Sequence, residues 1–427
     1  MSKFLYLMVL ILITAELKAE ETPIWSHEIS SYDGKFSQDE TLVIHGTKAG
    51  EVHIRDAETG ELLYRLTGGH NNNVASMSVA LSSDNLRAYS SSGSTTGTGD
   101  NFIVEWDLAT QTILRRFEFG EVADHVYAVM DMDLSVDSKY LIAIGRGVHP
   151  VEQDGRAYFT IWDVETQEIL YLKDGLGRIC KISPDNKYAV LGGYHNSPIV
   201  FDIENLKIRG ILGKEEDWHE GTTKDIDISS DSKFVVSIAS DKGKEPIAKI
   251  WDIENHVLIS NIPLEEGGQF EKIKFNNSNN YLLTSGGLST YSVVTDIEKK
   301  QTIYIIDKER LGFYGVDFNE ENQLLFTTFR VELYNLNPNS VPTNIINTIY
   351  PNPSSNTVSI DVQIELVENY KIEIISSEGI IIENLHNGIL NTGLQTFTWN
   401  SNNYSSGVYY CRISNEDNSF SYKIIKN

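Results

Sequence analysis

Short apolar runs separated by Asn, Asp, Gly and Ser recur along most of this chain. One such pattern is an apolar strand that leads into a polar turn and a second strand. It occurs seven times, as FSQDETLVI, LSSDNLRAY, LSVDSKYLI, ISPDNKYAV, ISSDSKFVV, FNNSNNYLL and FNEENQLLF. Short β-rich runs bounded by turn residues are typical of hairpins rather than helices. The pattern therefore predicts an all-β protein.

A second pattern alternates with the first: a residue, usually aromatic, that is followed by Asp or Asn. It also occurs seven times, at intervals of 39 to 56 residues, starting at Arg55, Trp106, Trp162, Phe201, Trp251, Thr295 and Tyr334. The intervals bracket the 40 to 45 residues of a four-stranded propeller repeat with insertions. These doublets, together with the Gly69-His70 pair, resemble the WD40 repeat family. The resemblance implies a seven-bladed β-propeller, which we assign to residues 22–337.

The two ends of the repeat region predict how the ring would close. The seventh repeat stops before a fourth strand, while the segment PIWSHEIS stands ahead of the first repeat without a partner. We predict that residues 23–29 pair beside the strand at 331–336 and complete the last blade. Closure of this kind leaves few strand edges open to other chains.

One repeat carries a set of polar residues that the WD40 resemblance explains. His70, Ser90 or Ser92, Asp100 and Trp106 match the hydrogen-bonded tetrad of that family, with the Asp six residues before the Trp. Other repeats retain only pairs from this set, His125 with Trp162 and His219 with Trp251. The resemblance implies that these histidines are structural rather than catalytic.

The repeated doublets end before the stretch NPNSVPTN, from which we predict a linker at residues 338–344. Six or seven short strands follow and predict a small immunoglobulin-like β-sandwich at residues 345–427. Its motifs resemble the C-terminal sorting domain of the type IX, or Por, secretion system; they comprise Tyr350, Pro351, Asn352 and Pro353, then Gly407 and Tyr409, then Lys423 and Lys426. The resemblance implies delivery to the cell exterior by that secretion machinery, with the lysines as a recognition handle. An ordinary adhesion module is the alternative.

The amino terminus predicts export, and the net charge bears on the kind of partner. Residues 1–19 read as a signal peptide, with one Lys ahead of an apolar run that is too short to span a bilayer. We expect no integral membrane segment after its removal and a secreted or cell-surface location in a Gram-negative bacterium.

A net charge of −25 disfavours a nucleic-acid partner. Cys180 and Cys411 lie in different predicted domains, so we expect buried thiols rather than a disulfide.

Candidate chemistry is sparse. The chain has no phosphate-binding loop, zinc-helix motif, Cys pair or nucleophile elbow, and we predict no catalytic residue, metal or cofactor. The longest insertions join second to third strands, or one repeat to the next, and these two loop types would share one face of a propeller. We expect that face to bind a ligand, with six candidate residues: Arg146, His149, Tyr194, His195, Trp218 and His219.

These features predict an exported, non-enzymatic propeller that binds a protein, a peptide or a glycan through its loop-rich face. Two alternatives remain open. One is a secreted propeller enzyme of the hydrolase or lactonase type with a site at the mouth of a central channel. The other is a surface adhesion or structural protein. Fold alone does not decide between them.

Overall fold

The computed structural model describes residues 23–70, 75–93, 99–148, 155–193, 195–239, 246–264, 270–286, 291–307, 315–336, 346–364, 368–376, 380–391, 393–414 and 419–427. The predicted signal peptide, the predicted linker and two candidate face residues, His149 and Tyr194, lie outside these ranges. The chain divides into two compact units, Met1–Leu336 and Asn337–Asn427.

The described part of the first unit consists almost entirely of short strands in seven four-stranded antiparallel sheets. Strand β1 spans Trp25–His27. Sheet 1 holds β2 (Ser31–Phe36), β3 (Leu42–Thr47), β4 (Val52–Asp56) and β5 (Leu62–Leu66); sheet 2 holds β6 (Ala75–Leu81), β7 (Arg87–Gly93), β8 (Phe102–Asp107) and β9 (Thr112–Glu118); sheet 3 holds β10 (Val126–Leu134), β11 (Tyr140–Val148), β12 (Gly155–Asp163) and β13 (Ile169–Asp174).

The remaining sheets follow in the same order. Sheet 4 holds β14 (Ile179–Ile182), β15 (Tyr188–Gly192), β16 (Ile199–Asp202) and β17 (Lys207–Ile211); sheet 5 holds β18 (Thr223–Ile228), β19 (Phe234–Ala239), β20 (Ile247–Asp252) and β21 (Val257–Pro263); sheet 6 holds β22 (Lys272–Phe275), β23 (Tyr281–Ser285), β24 (Tyr291–Asp296) and β25 (Gln301–Asp307); sheet 7 holds β26 (Gly315–Phe318), β27 (Gln323–Thr327) and β28 (Val331–Asn335) together with β1. Two short 3-10 helices lie between sheets, at Gly120–His125 and Glu215–Asp217.

The recurring doublets have a specific role at the end of each third strand. The pairing between third and fourth strands shifts register at the first doublet residue in sheets 1 to 6, as at Trp106 in sheet 2. The following Asp then closes the turn: Asp107 accepts hydrogen bonds from the backbone N–H and the hydroxyl of Thr110, at 2.9 and 3.1 Å. A bulge increases the local twist of a strand. In sheets 1 to 6 the doublet therefore sets both the local twist and the turn that follows.

The first unit closes on itself. The first strand of each sheet contacts the first strand of the next, and β26 of sheet 7 contacts β2 of sheet 1. Strand β1 pairs antiparallel with β28, so that Trp25 lies opposite Leu333 and His27 opposite Val331. The predicted closure of the last sheet by the amino-terminal strand is confirmed. Strand β28 consequently has a hydrogen-bonded neighbour on both sides.

The second unit has two sheets. Its strands are β29 (Ile346–Tyr350), β30 (Thr357–Ile364), β31 (Glu368–Ser376), β32 (Ile381–Leu390), β33 (Gly393–Asn400), β34 (Gly407–Ser414) and β35 (Ser419–Lys426). They form a three-stranded sheet in the order β29-β30-β33 and a four-stranded sheet in the order β32-β31-β34-β35. Side chains from both sheets, including Ile360, Ile374, Trp399 and Cys411, share one buried core.

Candidate functional site

The tetrad residues of sheet 2 form a buried hydrogen-bonded group. His70 bonds through Nδ1 to Asp100 Oδ2 at 3.0 Å and through Nε2 to Ser90 Oγ at 2.8 Å. Trp106 Nε1 donates to the same Ser90 hydroxyl at 2.9 Å, and the Ser92 hydroxyl donates to Asp100 at 2.8 Å. The His70 and Asp100 side chains are fully buried. These hydrogen bonds link side chains from different parts of the sheet and so tie the sheet together.

Sheet 5 repeats part of this arrangement. His219 Nε2 bonds to Ser237 Oγ at 2.9 Å, and Trp251 Nε1 donates to that hydroxyl at 2.8 Å. Trp162 of sheet 3 differs, because its indole donates to the backbone carbonyl of Glu118 at 3.2 Å. In sheets 2 and 5 the His and the Trp of the pair predicted from the sequence bond to one serine hydroxyl. The indole of Trp162 in sheet 3 does not make this contact.

Sheet 1 has a cluster that the sequence patterns did not reveal. Arg55 occupies the doublet position, and its Nε donates to His45 Nε2 at 3.1 Å, while His45 Nδ1 bonds to the Ser31 hydroxyl at 2.9 Å. The ring of His53 lies 5.3 Å from that of His45. Burial, together with the neighbouring charges of His53 and Arg55, holds the pKa of His45 well below its usual value. An Arg–His pair here replaces the Trp–Ser pair of sheet 2, and the register is the same in both sheets.

The Asp residues of the first strands join neighbouring sheets. The backbone N–H groups of Cys180 and Ile182 donate to Asp131 at 2.9 Å and Asp133 at 2.8 Å. The same contact recurs between other sheets: Val79 N–H to Asp33, Ile273 N–H to Asp225, Phe275 N–H to Asp227 and Phe36 N–H to Asp317. The Asp-x-Asp patterns are therefore inter-sheet clamps.

Lysines on the same strands balance these carboxylates. Lys274 lies 3.2 Å from Asp227 and 3.6 Å from Asp317. Burial opposes the charge of Lys181, but the carboxylates of Asp131 and its neighbours raise the Lys181 pKa well above its usual value. The described part of the chain contains no group of three or more His, Cys, Asp or Glu side chains placed to bind one metal ion.

Besides the inter-sheet contacts of the Asp residues, another set of hydrogen bonds joins neighbouring sheets through the turns between their first and second strands. Each turn has a residue in the left-handed region, with φ between 55° and 62°: Glu40, Asn85, Ser138, Asn186, Ser232, Asn279 and Asn322. In each turn the side chain of this residue bonds to a neighbouring turn, as when Val136 N–H donates to Asn186 Oδ1 at 2.9 Å. Glu320 N–H donates to the Glu40 carboxylate at 2.8 Å and joins the last sheet to the first.

The candidate face residues have different environments. His195 is exposed, and its backbone carbonyl accepts from the Thr223 hydroxyl at 3.0 Å. Arg146 is half-buried, with its guanidinium 6.0 Å from the centre of the Tyr127 ring. Trp218 is also half-buried, and its indole donates to the Leu212 carbonyl at 3.0 Å. His219 is only 2% exposed. Arg146 and His195 are therefore more accessible than His219.

The motif residues of the second unit surround its last strand. Tyr350 and the three residues after it are exposed, and the peptide bonds before Pro351 and Pro353 are cis. The Asn352 side chain donates to the Lys423 carbonyl at 2.9 Å and accepts from the Ile425 N–H at 2.8 Å.

The two basic motif residues are not equivalent. Lys423 is exposed, whereas Lys426 is only 7% exposed and donates to the Ser355 carbonyl at 3.0 Å. The expectation that both lysines form a recognition handle needs correction, because the Lys426 ammonium is engaged inside the fold. Gly407 opens β34 on the exposed side, and the Tyr409 hydroxyl donates to the Ser405 carbonyl at 2.8 Å.

The fold and the tail together define the class: an all-β protein built from many small four-stranded antiparallel sheets and followed by a separate β unit. Residues 348–427 match the family model described as the secretion system C-terminal sorting domain. No curated protein matches the chain.

The sorting-domain match supports an exported protein that is handled by the type IX secretion machinery and resides outside the cell or at its surface. The helices of the described segments include none with the length and apolar character needed to cross a membrane.

Proposed function

We propose that this protein is an exported, non-enzymatic, seven-bladed propeller of WD40 type that binds a protein, a peptide or a glycan through the face carrying its longest loops. The observation that carries the proposal is the cyclic order of the sheets, from the first to the seventh and back to the first. The tetrad of sheet 2 and the doublet at each third strand support the WD40 assignment. A rigid ring that holds variable loops on one side is suited to recognition.

The placement of carboxylates favours binding over catalysis. An enzyme site at a channel mouth would need acidic groups free to act on a substrate. The paired Asp131 and Asp133 accept backbone hydrogen bonds from the next sheet, and Asp225 and Asp227 do the same. Acids engaged in this way hold the ring together.

Arg146 and His195 would contribute to the binding face. Arg146 lies near the end of β11, and His195 follows β15, so both belong to the side where second strands lead into third strands. Lys187 and Lys233 belong to the turns between first and second strands, which lie at the opposite end of the sheets. Their side chains are 70% and 71% exposed.

The test is a comparison of two double substitutions to Glu in the full chain, probed on arrays of defined glycans and peptides. We expect the variant with Arg146→Glu and His195→Glu to lose the binding that the unmodified protein shows. The control variant with Lys187→Glu and Lys233→Glu should retain it. Equal binding by both variants would place the ligand elsewhere, and turnover of ester or lactone substrates without array binding would favour the enzyme alternative.

A further inference from the structure

The start of the sorting domain holds its last strand in place. Besides the two hydrogen bonds of the Asn352 side chain, Ser354 N–H donates to the Ile425 carbonyl at 2.9 Å, and Asn427 N–H donates to the Ser354 carbonyl at 2.8 Å. Ser354 and Lys426 form an isolated parallel bridge. Strand β35 is an edge strand, paired on its other side with β34. Residues 352–355 therefore occupy the backbone groups on its open side.

Asn352 makes the unusual contribution to this contact. A side-chain amide has an NH2 group that donates and a carbonyl oxygen that accepts, and Asn352 uses both groups on backbone atoms two residues apart in β35. It therefore acts as a substitute for one residue of a neighbouring strand. Asn352 is itself exposed, so its contribution to a hydrophobic core is small.

Strand alternation then separates the two lysines. The even-numbered residues are buried: Ile424 is fully buried and Lys426 is 7% exposed. The odd-numbered residues Lys423 and Ile425 are exposed. Side chains of odd and even residues in a strand point to opposite faces. Holding β35 by Asn352 consequently fixes Lys423 on the outward face, immediately beside the exposed segment of Tyr350 to Pro353.

We propose that Asn352 is the positioning residue of the sorting domain and that Lys423, not Lys426, is the cation that contacts the secretion machinery. The surface around Lys423 fits a partner that presents a carboxylate. Lys423 is an exposed positive charge on a chain of net charge −25, and such a charge would orient the encounter with an acidic partner. Lys426 acts only through the fold, by its bond to the Ser355 carbonyl. This inference rests on the export role assigned to the tail.

The positioning role is tested in the full chain, expressed in a bacterium that has a type IX secretion system. Asn352→Asp keeps the acceptor for Ile425 N–H but replaces the donor to the Lys423 carbonyl with a carboxylate oxygen. We expect the exported fraction to fall by about tenfold, the equilibrium effect of losing one hydrogen bond near the upper end of its usual strength. We also expect faster hydrogen exchange at the Ile425 amide. Asn387→Asp, an exposed change on β32, is the matched control and should alter neither quantity.

The docking role of Lys423 needs a readout that folding does not affect. We expect Lys423→Gln to reduce export with no change in thermal midpoint or in Ile425 exchange, and Lys423→Arg to restore export. Lys426→Gln should instead lower the thermal midpoint of the tail.

Normal export of the Lys423→Gln variant would overturn the docking role. Two results would overturn the positioning role: normal export of Asn352→Asp, or lost export with unchanged Ile425 exchange. Deletion of residues 346–427 separates these failures from a failure of the export role, because that deletion must abolish export if the tail is a sorting signal at all.

Discussion

Removal of the Trp25 side chain tests the closure of the first unit. Trp25 lies on β1, is 8% exposed, and packs in a cluster with Val43, Ala57 and Leu333. Its indole donates to the Ala57 carbonyl at 2.9 Å, so it connects the strand that completes sheet 7 to sheet 1. Its contacts therefore bridge the first and last sheets.

The expected cost of Trp25→Ala is about 3–5 kcal/mol, the range for truncating a large buried aromatic side chain. Trp25→Phe removes only the indole hydrogen bond and a small volume, for which about 1 kcal/mol is expected. Ile24→Ala is the control, because Ile24 is 41% exposed and precedes Trp25 directly. Its expected cost is below about 1 kcal/mol.

Differential scanning calorimetry of the full chain measures these effects. At about 2 °C per kcal/mol for a unit of this size, Trp25→Ala should lower the midpoint of the first unit by roughly 6–10 °C. The transition of the second unit, which has its own core around Trp399, should not move. A Trp25→Ala midpoint no lower than that of Ile24→Ala would refute the conclusion that β1 holds the ring closed.

Three further predictions concern buried polar groups. Asp100→Asn should cost about 2–3 kcal/mol in chemical unfolding, because it disturbs a fully buried hydrogen-bonded set; an unchanged midpoint would contradict that role. Burial raises the pKa of Cys411 to about 12 and that of Cys180 well above its usual value, so both thiols should resist iodoacetamide at pH 8 until the protein is unfolded, and fast native labelling would contradict their burial. The pKa of His45 is lowered in the folded state, so stability should be complete above the unfolded pKa of about 6.5 and fall as the pH drops below it. His45→Gln should weaken that dependence in melting experiments at pH 7 and pH 5.

Local sequence patterns were sufficient for the hairpins and for the closing strand. A turn of Asn, Asp or Ser between two apolar runs depends on neighbours within a few residues, and the unpaired segment before the first repeat needed one partner. Trp106 and His70 could be associated because they match the tetrad of the WD40 family, which the repeats resemble. The hairpins and the closing strand needed only information that is local or periodic.

The inter-sheet contacts and the sheet 1 cluster could not be predicted in this way. Asp131 and Cys180 are 49 residues apart, and no local pattern in either segment indicates that the two residues form a hydrogen bond. Arg55 departs from the aromatic residue that usually begins a doublet. The available signal was His45 on the neighbouring strand β3. The burial of Lys426 did have a signal, because Lys426 has the same parity in β35 as the buried Ile424.

The pairing of β1 with β28 also constrains how the protein can reach its folded state. Residues about 300 positions apart must meet before sheet 7 is complete, and such long-range pairing slows folding. A chain synthesised from its amino terminus would carry its opening strand without a partner until nearly all of residues 23–336 had been made. Folding of the ring would therefore be a late event, and a nascent chain interrupted before Val331 would expose an unpaired edge to proteases and chaperones.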